Sequence, residues 1–333
     1  MTRLTYSDDS QPGITRRKVR HGWGYWDADG RRITDRDEID RLNAIGLPPA
    51  YRDAWFCPSA NGHIQAIGWD QKGRKQYRYH PDFRASREAE KFDRCAAFGE
   101  ALARLRARVE ADLATRAHSK ERTIAAIVRL LDIGHLRVGN ESYVRANGSF
   151  GATTLRNRHV DVSGRTLRLR YRAKSGRTRT LHITDGSLAR FVRKCQDLPG
   201  QQLFQYVGAD GTPHGITSSD VNDYIRSASG GDFTAKHFRT WSASVIAFET
   251  LARAGRDIGI NAVLEPVTEA LGNTPAIARK SYVHPALIDL ARGDQTTFRA
   301  TLALPRATRY LDRYERGLIA FLKERAGGDR KAA

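Results

Sequence analysis

The stretch GNTPAIARKSY, residues 272–282, sets one phenol where it could do chemistry. Pro275 suits the first turn of a helix, where its missing amide proton would have no partner anyway, and Thr274 before it suits an N-cap. Tyr282 stands seven residues past that proline, about two helical turns on, behind Arg279 and Lys280. A tyrosine among cations is a candidate nucleophile toward a phosphodiester. A free phenol ionises near pH ~10, so the reaction needs positive neighbours that favour the phenolate. The pentavalent transition state carries negative charge on two nonbridging oxygens, which forked guanidinium donors fit better than ammonium does. The leaving 5′ oxygen needs a proton, which a lysine on a hairpin can deliver. The chemistry therefore asks the chain for two arginines, a lysine and one further polar donor.

The bulk composition agrees with a phosphate-bearing substrate. Across 333 residues, 56 Lys+Arg stand against 37 Asp+Glu, a net charge of +19. A surplus spread along the chain favours a polyanion, because each neutralised phosphate releases condensed counterions. Nucleic acid is the leading candidate. A membrane is not expected, since there is no apolar run of about 18 residues and no basic amphipathic helix with a Trp/Phe-rich face. The first residues, MTRLTYSDDSQPG, lack the apolar centre of a signal peptide, and Cys57, Cys95 and Cys195 are odd in number and far apart. They read as reduced thiols of a cytoplasmic, nucleoid-associated protein. Without a zinc cluster, a Walker loop or a carboxylate cage, the sequence suggests no cofactor, no metal and no use of ATP.

The elements that must position these residues fall into two parts. Residues 1–86 read as a small antiparallel β-rich domain. After a loose arm, RRKVR leads into HGWGYWDADGRRIT with a hairpin turn at Asp29-Gly30; a short helix spans Glu38 to Ile45; strands follow at WFCPS, HIQAIGW and DQKGRKQYRYH. In the last of these, period two puts Tyr77 and Tyr79 on one face and Gln76, Arg78 and His80 on the other. Pro81 to Ser86 reads as a linker, beyond which the pattern turns helical. Residues 87–333 read as a larger, mainly α-helical domain. A long helix covers 87–116 and a second runs from Ser119 to Asp132. A β-rich insert follows, with GATTL, HVDVSG, TLRLRYRAKSG and RTRTLHIT as strands. Helices are then expected at Ser187–Cys195, Ser219–Ser227, Lys236–Leu251, Val263–Leu271 and Pro275–Tyr282. A last helix spans about Arg306 to Arg325, and GGDRKAA reads as a disordered tail. The fold class is α+β.

Several segments, in order, carry a resemblance. IGHLRVGNESYVRANGSFGATTLRNRH, the hairpin tip YRAKSG, the helix start KHFRTW and GNTPAIARKSY together resemble type IB DNA topoisomerases of the poxvirus-like and bacterial branch, over roughly residues 16–290. The resemblance implies the tyrosine recombinase/topoisomerase IB type of catalytic domain and a monomer closing on DNA as a C-shaped clamp. It implies ATP-independent relaxation of supercoiled DNA through a 3′-phosphotyrosyl intermediate, strand rotation and religation. By motif position, Arg137 matches the first catalytic arginine, Lys174 the hairpin lysine that protonates the leaving oxygen, Arg239 of K-x-x-R the second arginine, and Tyr282 the nucleophile. Asn273 stands where many relatives have histidine; an amide can donate a hydrogen bond to a nonbridging oxygen but cannot titrate. Lys72, Arg74, Gln76, Tyr77 and Tyr79 match a DNA-contact strand, and Tyr143, Asn147 and Ser149 match phosphate and base contacts after the first arginine.

Plainer readings stand beside these. Arg137 would also suit a helix C-terminus, Lys174 a solvated turn, and Arg239 a structural ion pair. A tyrosine recombinase would share the nucleophile and the arginines, but usually with a helical N-terminal domain and H-x-x-R. A non-enzymatic basic DNA-binding protein would need only the charge.

Overall fold

Alternation of apolar and polar residues builds the first unit as one antiparallel sheet. The computed structural model describes residues 3–71 and 73–332, with the side chains of 328–332 excepted, and divides into two compact units, 1–90 and 91–333. In the first, β1 (Ile14–Val19), β2 (Gly22–Trp26), β3 (Arg52–Phe56), β4 (Ile64–Trp69) and β5 (Lys75–Tyr79) lie in the order β2-β1-β3-β4-β5. Helix α1 (Arg36–Ala44), N-capped by Asp35, contributes Leu42 to a core with Ile14, Tyr25, Phe56 and Ala66. The Tyr25 hydroxyl donates to Asn43 Oδ1 at 2.8 Å, so its polar end is satisfied beneath the helix. The main hairpin closes at Arg20-His21, since Val19 pairs with Gly22; the Asp29-Gly30 turn closes only the Trp26–Arg32 bridge. This corrects the expected hairpin: the basic RRKV run is itself strand β1.

The expected linker is helical. Residues 81–86 open α2 (Pro81–Asp93), and the single helix read over 87–116 is two, because the chain breaks at Arg94 before α3 (Cys95–Ala114).

In the second unit α4 (Lys120–Gly134) and α5 (Glu141–Asn147) precede a three-stranded meander, β6 (Val160–Ser163), β7 (Thr166–Arg172) and β8 (Thr178–Thr184). GATTL is not a strand. Residues 152–154 make a 3₁₀ turn in which Thr154 Oγ1 accepts from the Gly151 amide and Thr153 Oγ1 donates to Val138 O, local bonds that replace a ladder. There follow α6 (Gly186–Gln196), a small β9 (Gln205–Val207) and β10 (Pro213–Gly215) pair, α7 (Ser218–Ser229), α8 (Ala235–Arg253), α9 (Ile260–Leu271) and α10 (Pro275–Ser281). The chain ends in α11 (Pro285–Leu290), α12 (Gln295–Thr301) and α13 (Arg313–Ala332). The last helix starts later than the sequence suggests and takes in residues 327–332, read above as a tail.

Helix α8 runs through the middle of this unit. Gly99 on α3 lets Trp241 lie against it: a Cβ there would stand 2.3 Å from the indole. A buried ionic knot fixes α13 behind α8. Arg106 grips Asp132 in two bonds of 2.8 and 2.9 Å and Glu315 in two of 2.8 Å, while Trp241 Nε1 donates to Glu315 at 3.2 Å. The three cysteines are free and buried, and burial pushes the Cys95 and Cys195 thiols up to about 12. No helix among the described residues is long and apolar enough to cross a membrane.

Candidate active site

Three helix ends deliver candidate catalytic side chains, and each end has a local cause. Helix α4 stops at His135, whose left-handed φ of 53° turns the chain so that Arg137 emerges two residues later. The Arg137–Gly139 segment is then held backbone to backbone. Ala152 N donates to Arg137 O at 2.8 Å and Thr153 N to Val138 O at 2.7 Å. Gly139 is required here: its φ is +96°, and a Cβ would stand 2.9 Å from Thr153 Oγ1. Helix α9 ends in Gly272, left-handed at φ +64°, with its amide bonded to Thr268 O at 2.9 Å; Asn273 follows directly. Thr274 caps α10 and Pro275 is its first residue, as the sequence suggests; Tyr282 sits at the helix's C-cap. Ser244 of α8 steadies this exit by accepting from the His284 amide at 3.0 Å, and Lys91 donates to Ser281 O at 2.8 Å.

Arg239, on the second turn of α8, is 3% exposed. Its guanidinium donates to Leu271 O at 3.0 Å and to His135 O, so it links the ends of α9 and α4. Its Cζ lies 4.9 Å from the centroid of the Tyr282 ring. Arg137 Nη2 donates to Asn273 Oδ1 at 2.9 Å. That bond orients the amide, leaving Nδ2 as a donor. Asn273 Nδ2 and Arg239 Nε are both buried and have no hydrogen-bond partner among the described residues. Buried donors left without partners are costly unless an acceptor arrives.

The electrostatics favour the phenolate. Burial is the largest single influence on Tyr282 and opposes ionisation, but Arg239 and Arg137 together outweigh it and bring the phenol below its ordinary value. Arg239 is itself pushed down to about 10, first by burial and then by Arg137. Among the described residues neither arginine has a carboxylate partner within ion-pair distance. Arg279 and Lys280, adjacent to Tyr282 in sequence, are exposed and do not figure among the groups acting on its phenol. Burial pulls His135 down to about 4, so its ring is neutral between the cations at ordinary pH.

The structure thus brings together Arg137, Arg239, Asn273 and Tyr282. It does not bring in Lys174. That side chain is exposed on the β7–β8 turn, with no hydrogen-bond or ion-pair partner among the described residues. Two residues missed in the sequence line the same place. Tyr171 is buried, and its phenol is pushed up by burial against the pull of Arg179, Arg239 and Arg137; Arg179 opposes it directly across the hairpin. Only the β7–β8 register reveals them, since RTRT alone does not say which arginine turns inward.

The second group of expected contacts lies in the first unit. Tyr77 and Tyr79 on β5 stack at 5.8 Å and are 41% and 40% exposed. Arg74 and Gln76 both donate to Asp70, at 2.7 and 3.1 Å, and Lys75 pairs with Asp9. Lys72 lies outside the described residues. In the second unit Tyr143 projects from α5 at 57% exposure, with Asn147 at the helix's last turn and Ser149 just past it, both half-buried.

Comparison with known proteins covers most of the chain. The family described as eukaryotic DNA topoisomerase I, catalytic core, matches residues 80–281, which include Arg137, Lys174, Arg239 and Asn273 and stop one residue before Tyr282. The bacterial DNA topoisomerase IB N-terminal domain matches residues 22–70. DNA topoisomerase 1B of Acanthamoeba polyphaga mimivirus is 30% identical over 300 residues, spanning 86% of this chain and 89% of that protein. Among solved structures, the XerH site-specific recombinase bound to difH substrate, a pre-cleavage complex, is similar at a TM-score of 0.36 and 13% identity, over 59% of this chain and 52% of that one. That likeness is too distant to carry structural detail.

Proposed function

The chain belongs to the type IB DNA topoisomerases, which relax supercoiled duplex DNA through a transient phosphotyrosyl link, and on that premise we propose the residues that carry each step. Tyr282, ionised under the influence of Arg239 and Arg137, attacks the phosphorus. A bond forms between its phenolic oxygen and phosphorus, the bond to the 5′ oxygen breaks, and the phenolic proton goes to solvent. Lys174 gives the departing 5′ oxygen its proton when the hairpin meets the DNA. Asn273 Nδ2 and Arg239 Nε donate to the nonbridging oxygens, with Arg137 holding the amide in place and adding charge. The free end rotates about the intact strand, and the 5′ hydroxyl reverses the first step. The bond energy stays in the covalent link, so ATP has no part in the reaction.

The observation that carries this assignment is the pair of buried donors without protein partners beside a phenol whose pKa is lowered by two arginines. The β5 tyrosines with Arg74 and Gln76, and Tyr143, Asn147 and Ser149 after Arg137, hold the duplex, Lys72 being assigned with them from sequence alone. The enzyme works as a monomer at the nucleoid of the cytoplasm. The experiment mixes supercoiled plasmid with protein in EDTA and without ATP, comparing wild type with Tyr282→Phe. Relaxation by wild type alone supports the assignment; failure of wild type in EDTA, or relaxation by the variant, refutes it. Sedimentation of the active species as a dimer would refute the monomer.

A further inference from the structure

A third guanidinium, Arg179, binds the same two helix ends as Arg239 but belongs to the hairpin that carries Lys174. Strands β7 and β8 pair with Tyr171 opposite Arg179, and Leu167, Leu169 and Tyr171 of β7 with Ile183 of β8 are buried. Period two therefore turns Arg179 toward the apolar side of the meander, where a cation is costly. Among the described residues it has no carboxylate partner there, and burial draws its pKa down. What it has instead are carbonyls. Nη1 donates to Leu271 O at 2.8 Å, and Nη2 to Ala270 O at 2.5 Å and to Gly134 O at 3.2 Å.

These are last-turn carbonyls of α9 and α4, groups that lack intrahelical donors and lie at the negative ends of the two helix dipoles. The Arg137 turn begins just past Gly134, and Asn273 lies two residues past Leu271. Gly272 makes room for the contact: a Cβ there would stand 3.3 Å from Arg179 Nη1. Along the chain, Arg179 lies five residues past Lys174, which sits in the turn before β8. One side chain thus connects the lysine's hairpin to both segments that hold the phosphate donors.

We propose that Arg179 is a positioning residue that registers the Lys174 hairpin against the ends of α4 and α9, so that the leaving-group acid meets the phosphate held by Arg137 and Asn273. The helix ends keep a second tie when Arg179 is removed, because Arg239 still bonds His135 O and Leu271 O. The hairpin loses its side-chain hydrogen bonds to them and keeps the packing of Ile183 against the end of α4. The defect therefore falls on protonation of the leaving oxygen more than on attack. The inference rests on Lys174 as that acid.

The test measures single-turnover cleavage by Arg179→Ala on two duplexes that differ at the scissile bond, one with the natural 5′ oxygen and one with a bridging 5′ sulfur, which departs without a proton. Displacement of a catalytic group should slow the oxygen substrate by about a hundredfold. The sulfur substrate should slow by less than about tenfold, since the part lost is general acid catalysis. Equal slowing of both substrates, or no slowing of the oxygen substrate, overturns the proposal. If Arg179→Ala does not fold, as judged by thermal melting, Arg179→Lys carries the same comparison. It keeps the charge and loses the fork, so it should show the same preferential sulfur rescue with a smaller defect, and equal slowing by it is equally contrary. Lys174→Ala is the separate control. If sulfur does not rescue it, the assignment of Lys174 fails, whatever Arg179 does.

Discussion

The edge strand β5 and the cluster around Tyr282 both concentrate cations, and they differ in whether carboxylates hold them. Just before β5 and along it, Arg74 and Gln76 are held by Asp70 and Lys75 by Asp9, Arg78 donates to Gly46 O, and the stacked faces of Tyr77 and Tyr79 are left outward. Around Tyr282, Arg137, Arg179 and Arg239 contact an amide oxygen and helix-end carbonyls. Carboxylates that hold a basic strand in shape would cancel the field a phosphate must meet. The helix ends supply acceptors carrying only partial charge, so the guanidinium groups are fixed without being neutralised. The arrangement places a cation's structural bonds and its unpaired donors on the same side chain, as Arg239 does with its Nη and Nε groups.

Removing a cation should therefore cost rate in one region and affinity in the other. The largest loss is expected from Tyr282→Phe, which should leave no covalent adduct on gels of SDS-stopped reactions while still shifting DNA in a binding assay. Arg239→Ala removes a buried transition-state donor and should lower single-turnover cleavage by about 10²–10³-fold. The paired Glu315 gives the contrast: Glu315→Ala leaves Arg106 with one partner fewer in a buried site. It should cost about 3 kcal/mol of stability in denaturant melts, whereas Arg137→Ala, losing one hydrogen bond, should cost about 1 kcal/mol. The smallest effect belongs to β5. Arg74→Ala should lower the slope of log affinity against log salt by less than about 1, because Asp70 already pairs with the guanidinium, with cleavage at saturating DNA unchanged. A large loss of rate in that variant would dissolve the comparison.

Much of the site could be read from sequence because its residues sit at element ends with strong local signals. The Thr274-Pro275 start and the turn at the YRAKSG hairpin tip each require a particular backbone, and the structure has them there. Helices α6 to α10 likewise fall within a few residues of their apolar periodicity. What was hidden depended on tertiary partners. GATTL looks like a strand because threonine favours strands, yet its hydroxyls bond their own turn and Val138. Arg94 gives no breaking signal between α2 and α3. Arg179 looks like any charge in an alternating hairpin until the register sets it opposite Tyr171. The cations that act on the Tyr282 phenol, Arg239 and Arg137, were legible only through the family resemblance, since they are distant in sequence, while its sequence neighbours Arg279 and Lys280 are exposed.

Asn273 allows the field to be tested without removing it. Because an amide does not titrate, the wild-type cleavage rate should show no step near pH ~6.5, and Asn273→His should introduce one, active on the acid side where imidazolium donates. The most direct measurement is the pH dependence of single-turnover cleavage in wild type and Arg239→Ala. Lowering the phenol's pKa makes the phenolate abundant at lower pH, so the wild-type rate should rise with pH and level off below the ordinary phenol value of ~10. With Arg239 gone, the midpoint should move upward as the opposing effect of burial takes over. Coincident midpoints, or a rate independent of pH in both proteins, would contradict the claim that unpaired arginines activate Tyr282.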